Sequence, residues 1–175
     1  MKWQSHKVVT FFTIISLTGN PLFAFLSSAG SVLPDLIDFL LGIRHRTYSH
    51  LAGVWLLIAS CFITIASSTH VYDYLSDFNI RNFLAKDFFV SLLYKDLIGA
   101  WNVGTIILVF ASWISVGAFL HCLQDMFTIS GVPIFNPKKS FRKLGLFRTG
   151  SKKEYVFCFV YTIICLVLTY YIWVK

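Results

Sequence analysis

The chain has 175 residues, 57% of them hydrophobic and 13% charged, with a formal net charge of +7. A soluble domain carries about 25% charged residues, so the composition excludes an ordinary water-exposed globule. The apolar residues fall in long blocks, the mark of an all-α, polytopic membrane protein, and the short alternating segments of a membrane β-barrel are missing. The positive charge does not point to nucleic acid. Seven of the fifteen Lys and Arg lie between Lys138 and Lys153, just before the last apolar run, where they orient a span or meet anionic headgroups.

In chain order, Val8 to Leu33 is apolar but interrupted by Gly19-Asn20-Pro21. Each half makes roughly 16–20 Å of helix, short of the ~30 Å hydrocarbon core. The segment is either a short helical hairpin turning at Gly19-Asn20-Pro21 or one kinked span. A signal peptide cleaved near Ser27-Ser28-Ala29 fits less well, because the apolar run exceeds a usual h-region and no soluble domain follows.

Pro34 to His50 is a short, partly polar connector. Leu51 to Thr69 reads as a span of about 28 Å. Val71 to Ile98 mixes Phe, Tyr and Leu with Asp73, Asp77, Arg81, Lys86, Asp87, Lys95 and Asp96, a pattern for an interfacial amphipathic segment. Gly99 to Leu120 is the next span, with small residues suited to packing or dimerisation. Met126 to Glu154 is a basic loop, and Tyr155 to Val174 a final span ending in aromatic belt residues. The expectation is a single membrane-embedded helical domain over residues 1–175, with about three transmembrane helices after the N-terminal hairpin or kinked span. Cys61, Cys122, Cys158 and Cys165 all lie in apolar surroundings without a CxxC pair and read as packing residues.

Charge distribution bears on the first segment. With a hairpin, Lys2, Lys7, Arg44, Arg46 and the seven basic residues of 138–153 share one side, eleven against Arg81, Lys86, Lys95 and Lys175. A single kinked span moves two lysines across and leaves nine against six. The positive-inside rule favours the hairpin and puts the richer side in the cytoplasm.

The hairpin also brings His6, His45, His50 and His121 to one membrane edge, with Asp35, Asp38 and Asp125. His121 and Asp125 stand at i, i+4 on one helix face. An ionisable pair at the end of an apolar helix calls for a partner, a metal or a cavity; a plain His–Asp hydrogen bond is the competing reading. Asp35 follows Pro34 as at an ordinary helix start, yet Asp35 and Asp38 at i, i+3 repel without a cation or proton between them. Mixed carboxylate and imidazole ligands suit divalent ions. His45 and His50, five apart, cannot share a face of a regular helix, but a loop with Ser49 as N-cap and His50 as first helical residue converges them. Arg46 is placed to clamp a phosphate or carboxylate oxygen, or else to snorkel as a positive-inside residue. His70 ends the second span on the other side and reads as a surface residue.

The run Pro34-Asp35-x-x-Asp38, His45-Arg46-x-x-x-His50 and His121-x-x-x-Asp125-x-x-Thr128-x-x-Gly131-Val132-Pro133, closing at Pro137, resembles the YdjM-type proteins, as does a histidine ahead of the first apolar run. The resemblance covers residues 6–137 and implies a bacterial inner-membrane, metal-dependent hydrolase distantly similar to zinc-dependent phospholipase C and S1/P1-type nucleases. It implies His6, Asp35, His50, His121 and Asp125 as ligands of one or more divalent ions, zinc foremost, with Asp38 and His45 as further ligands or supporting groups. Asp35 or Asp38 would then take a proton from the attacking water, and Arg46 would stabilise a phosphoryl oxygen. A site at the membrane edge suggests a phosphoester or lipid-linked substrate among membrane lipids. Two rival readings stand beside this one: a non-enzymatic membrane protein with a structural His/Asp metal site or polar network, and a transport component. Charge-free interiors in the spans at 51–69 and 99–120 argue against the latter.

Overall fold

The computed structural model describes residues 1–43, 46–76, 80, 103–136 and 144–175. Helix α1 runs Trp3–Thr18, α2 Pro21–Gly30 and α3 Leu33–Leu41; a 3₁₀ turn at Tyr48–His50 leads to α4, Ala52–Ala66. The short α5 spans His70–Ser76, α6 runs Val103–Asp125, and α7 runs Lys152–Thr169 and continues in π-helical winding over Tyr170–Val174.

Of the two readings of the first apolar segment, the hairpin is the one that forms. Gly19 ends α1 with φ +64°, a left-handed conformation that glycine adopts without strain. Asn20 then caps α2, its side chain accepting the N–H of Phe23 at 3.0 Å, with Pro21 at the first helical position. The arms return far enough for Ser28 Oγ to donate to the Lys7 carbonyl at 3.0 Å.

The remaining helices follow the same up-and-down course. The start of α7 meets the start of α1, where Glu154 accepts the Lys2 N–H at 2.8 Å. The two helices end together too, with Trp173 Nε1 donating to the Ser16 carbonyl at 3.0 Å, so they run parallel. α6 descends against α2 and α4. Its contact with α2 is backbone on backbone: a Cβ on Gly117 would lie 1.9 Å from the Ser27 carbonyl oxygen, and one on Gly30 2.1 Å from that of Ile114. Ser27 Oγ donates across the crossing to the Trp113 carbonyl at 2.9 Å. The small residues of α6 therefore serve, at Gly117, an internal contact.

Pro21–Leu41, Val103–Asp125 and Lys152–Val174 are each long and apolar enough to cross a membrane. The second expected span is shorter than its sequence suggests. α4 has 15 residues, about 22 Å, because both ends are drawn off. Ala52 and Gly53 give their N–H groups to the Pro133 and Ile134 carbonyls at 3.3 and 2.9 Å. Ser67, Ser68 and Thr69 turn their hydroxyls back onto carbonyls three residues earlier at 3.0, 2.7 and 2.6 Å, which favours a turn over further helix. Residues 34–41, expected in a connector, extend the helical region as α3. Its exposed face carries Leu36, Phe39, Leu40 and Leu41. Most of the expected interfacial segment, and residues 137–143 of the basic loop, lie outside the described residues.

A core of Ile14, Phe23, Ala24, Val109 and Trp113 packs the hairpin against α6, with the Phe23 and Trp113 rings stacked at 4.3 Å. Large apolar side chains along α7, such as Phe159, Ile163 and Val167, stay exposed, an outer surface suited to lipid rather than water. Cys122, Cys158 and Cys165 are buried, Cys61 is exposed, and all four are free thiols.

Candidate metal centre

The opposite end of the bundle is polar and buried. Five elements converge there: the first turns of α1, the junction of α2 with α3, the first turns of α3, the 3₁₀ turn before α4, and the last turns of α6. They deliver His6, Asp35, Asp38, His50, His121 and Asp125. His6, His50 and His121 have no solvent exposure, and Asp125 has 1%. Three completely buried imidazoles beside carboxylates are costly unless the polar atoms are matched.

Each imidazole is held by its Nδ1. His121 donates from Nδ1 to the Ser31 carbonyl at 2.6 Å. A carbonyl only accepts, so Nε2 of His121 carries the lone pair. His6 Nδ1 meets Gln124 Oε1 at 2.8 Å, while the Gln124 amide nitrogen donates to Thr10 Oγ1 at 2.8 Å; His6 Nδ1 is therefore the donor and Nε2 again the bare nitrogen. His50 Nδ1 lies 2.9 Å from Ser49 Oγ and 3.3 Å from Asp38 Oδ2, and Ser49 Oγ in turn donates to Asp38 Oδ1. Anchoring of this kind fixes ring orientation and basicity in metal-bound histidines.

The donor atoms fall into two groups that share His121. Nε2 of His50 and of His121 are 3.1 Å apart, and Asp35 Oδ1 lies 3.2 Å from the first and 3.5 Å from the second. Zinc ligands sit about 2.0–2.2 Å from the ion, so two ligands of a tetrahedral ion are about 3.3–3.6 Å apart. The Asp35–His50–His121 triangle thus has the edges of one face of a zinc tetrahedron. His6, His121 and Asp125 form a second group whose donor atoms lie within 4.8 Å of one another. In it His6 Nε2 is 3.4 Å from Asp125 Oδ1 and His121 Nε2 is 3.9 Å from Asp125 Oδ2, and the His6 and His121 rings stack at 3.8 Å. His6 Nε2 is a buried atom with no hydrogen-bond partner, a lone pair facing a carboxylate. Such an orphan, within a set of imidazole and carboxylate donors, fits a divalent cation.

Arg46 stands behind the second group. Its Nη2 is 2.8 Å from Asp125 Oδ2, and Nη1 donates to Thr128 Oγ1 at 3.1 Å and to the Gly131 carbonyl at 3.4 Å. It adopts φ +64°, while its backbone N–H donates to Asp38 Oδ2 at 3.1 Å. One residue thereby ties the connector to both ends of the cluster. The Met1 terminal amine meets Asp125 Oδ1. The carboxylate that Arg46 clamps is thus the protein's own. Ser49, expected as an N-cap, belongs to the 3₁₀ turn and holds Asp38 and His50 instead. His45 lies outside the described residues, as does the side chain of His70.

Gln124 and Ser31 were not singled out from the sequence. Gln124 had a legible signal, since it lies at i+3 from His121 on an otherwise apolar helix; a main-chain carbonyl such as that of Ser31 has none. Asp35 and Asp38 border a shallow pocket of about 350 Å3, with Met1, Trp3, Phe39 and Ile43 as the other walls.

A family model for YdjM inner membrane proteins matches residues 1–175, extending the likeness over the last span. No curated protein and no solved structure matches the chain, so the expected likeness to zinc-dependent phospholipase C and S1/P1-type nucleases gains no support. Complete coverage by the family model, on a bundle with three helices able to cross a bilayer, identifies the chain as a multi-pass member of the YdjM inner membrane protein family.

Proposed function

We infer that the protein is a metal-dependent hydrolase of the inner membrane, working on a phosphoester or lipid-linked substrate at the cytoplasmic edge. The carrying observation is the convergence of three Nδ1-anchored imidazoles, with their Nε2 lone pairs, on Asp35 and Asp125. Asp35, His50 and His121 would hold a divalent ion, zinc foremost, with His6 and Asp125 completing the set or holding a second ion. Three protein ligands with a further position left over is the arrangement of catalytic zinc. Such an ion supplies an electrophilic centre for an ester oxygen and acidifies a water.

The chain's own residues account for the rest. Asp38 lies behind His50 and orients that ring. Asp35, more exposed than Asp38 and also on the pocket wall, takes the proton of the attacking water. Arg46 pairs with Asp125 and would bring positive potential to the side of the cluster where a phosphoryl oxygen would gain charge. The apolar face of α3, beside the pocket, suits a substrate that lies in the membrane. The eleven-to-four excess of basic residues that the hairpin reading of the sequence gives one side supports the cytoplasmic orientation.

A second reading rests on Asp125, whose two oxygens already face cations, Arg46 and the Met1 amine. That half of the cluster suits a polar network, and the ion would then be structural. Hydrolysis assays separate the two. Purified protein loaded with zinc or manganese, in vesicles carrying phosphodiester and phosphomonoester lipids, is expected to turn over at least one class. The Asp35→Asn variant is expected to lose about 100-fold or more, the range of general-base contributions. Metal bound tightly without turnover on any ester would favour the structural reading.

A further inference from the structure

None of the candidate ligands lies on α7, and this helix carries a second feature. A groove of about 350 Å3 runs between α7 and the preceding loop, walled by Phe147, Val156, Phe157, Val160 and Ile164, with Lys153 at its mouth. From Lys153 to Ile164 the helix rises about 16 Å. That is close to half of the ~30 Å hydrocarbon core, the depth of one leaflet. The groove's lining is almost wholly apolar over this length, which suits a hydrocarbon chain lying along the helix.

The mouth is cationic. Arg148, Lys152 and Lys153 are all exposed there, at the end of a stretch holding seven Lys and Arg from 138 to 153. The acid next in sequence, Glu154, does not offset them. It is completely buried, and its carboxylate accepts the N–H groups of Lys2 and Gly150 at 2.8 and 2.6 Å. The floor adds to the fit: Val156, Val160 and Ile164 follow one another at a helix turn's spacing and are 61%, 49% and 52% exposed, so the slot opens along its length to the surroundings of the helix. Neutral lipid would fill the slot but gain nothing at the mouth.

We propose that this groove binds one anionic phospholipid, an acyl chain lying along α7 from Val156 to Ile164 and the phosphate at Lys153, with Arg148 and Lys152 beside it. The site is independent of the metal cluster and of the hydrolase reading.

Native mass spectrometry of the full chain tests it. Delipidated protein in detergent is titrated with phosphatidylglycerol or with phosphatidylcholine of the same chains. Wild-type protein is expected to retain a single phosphatidylglycerol about tenfold better than phosphatidylcholine, given the pull of clustered Lys and Arg on anionic headgroups. Lys153→Gln is expected to bring the two lipids closer together. Val160→Trp, which fills the slot, is expected to retain neither, while Ile172→Trp, on the same helix beyond the groove, behaves as wild type. Equal retention of both lipids by the wild type would overturn the proposal, as would undiminished phosphatidylglycerol on Val160→Trp. So would a wild-type dimer that Val160→Trp splits, since a second copy would then be the occupant. If Val160→Trp aggregates, the exposed Lys153→Gln change decides alone, and an unaltered lipid preference counts against the site.

Discussion

Which nitrogen of each histidine is tied down governs the chemistry available to this protein. His6, His50 and His121 each spend Nδ1 on a neighbour from another element or the adjoining turn, so their Nε2 atoms are left facing one another and two carboxylates. The sequence made the residue types legible, because ionisable groups at the ends of apolar helices stand out against so little charge. It could not reveal the anchors. The Ser31 carbonyl is main chain, and Asp38 shares its spacing with Asp35 although the two are placed differently: Asp35 Oδ1 closes the triangle with the His50 and His121 Nε2 atoms, whereas Asp38 grips Ser49 and Arg46 N–H behind His50. This division is testable. Asp38→Asn leaves every proposed ligand in place but weakens the orientation of His50, and zinc affinity by competition with a chromogenic chelator should fall about 10–100-fold. Unchanged affinity would remove Asp38 from the support of the site.

Among the elements, the crossing of α2 and α6 does most to place the cluster. Gly30 and Gly117 let the two backbones touch, and each stands directly or one turn before a residue of the site: Ser31 after Gly30, His121 four residues after Gly117. The 2.6 Å bond between those two residues depends on that approach. A Gly117→Val change puts side-chain atoms where Ser27 stands. Overpacking of this kind costs about 1–3 kcal/mol, and here backbone has to move. The variant should melt lower in detergent and hold less metal although it alters no ligand. A normal metal content would mean that the cluster tolerates a shifted α6. Helix identities were readable from apolar runs, and the turn at Gly19-Asn20-Pro21 from its punctuation. The shortness of α4 was not fully readable, because the groups that take its first end, the Pro133 and Ile134 carbonyls, come from a distant loop. The same contact explains the Gly131-Val132-Pro133 run, which seats that loop on α4 and offers Arg46 a carbonyl.

At the scale of the whole molecule, the cluster is where the chain is sewn together. Among the described residues, α1, α3, the turn before α4, and α6 are joined at this end by His, Asp and Arg contacts. An ion bound there would join elements separated by more than a hundred residues in sequence and oppose their separation. Stability should therefore depend on metal by simple linkage, rising by about 2.7 kcal/mol when free ion reaches 100 times its dissociation constant. Thermal melting of the detergent-solubilised protein should move up with added zinc or manganese and down with a chelator. His121→Ala, which removes the ligand common to both candidate groups, should lose that response. A chelator-insensitive melt would indicate that hydrogen bonds and ion pairs alone hold this end.

Elemental analysis of the purified protein tests the central claim most directly. The full chain is isolated in detergent without chelator, then incubated with zinc, manganese and other divalent ions and freed of excess, alongside His121→Ala. The account predicts a divalent metal in stoichiometric amount in the wild type and its loss in the variant. No metal in either protein under any of these conditions would contradict it, and the three converging imidazoles would then belong to a polar network without an ion.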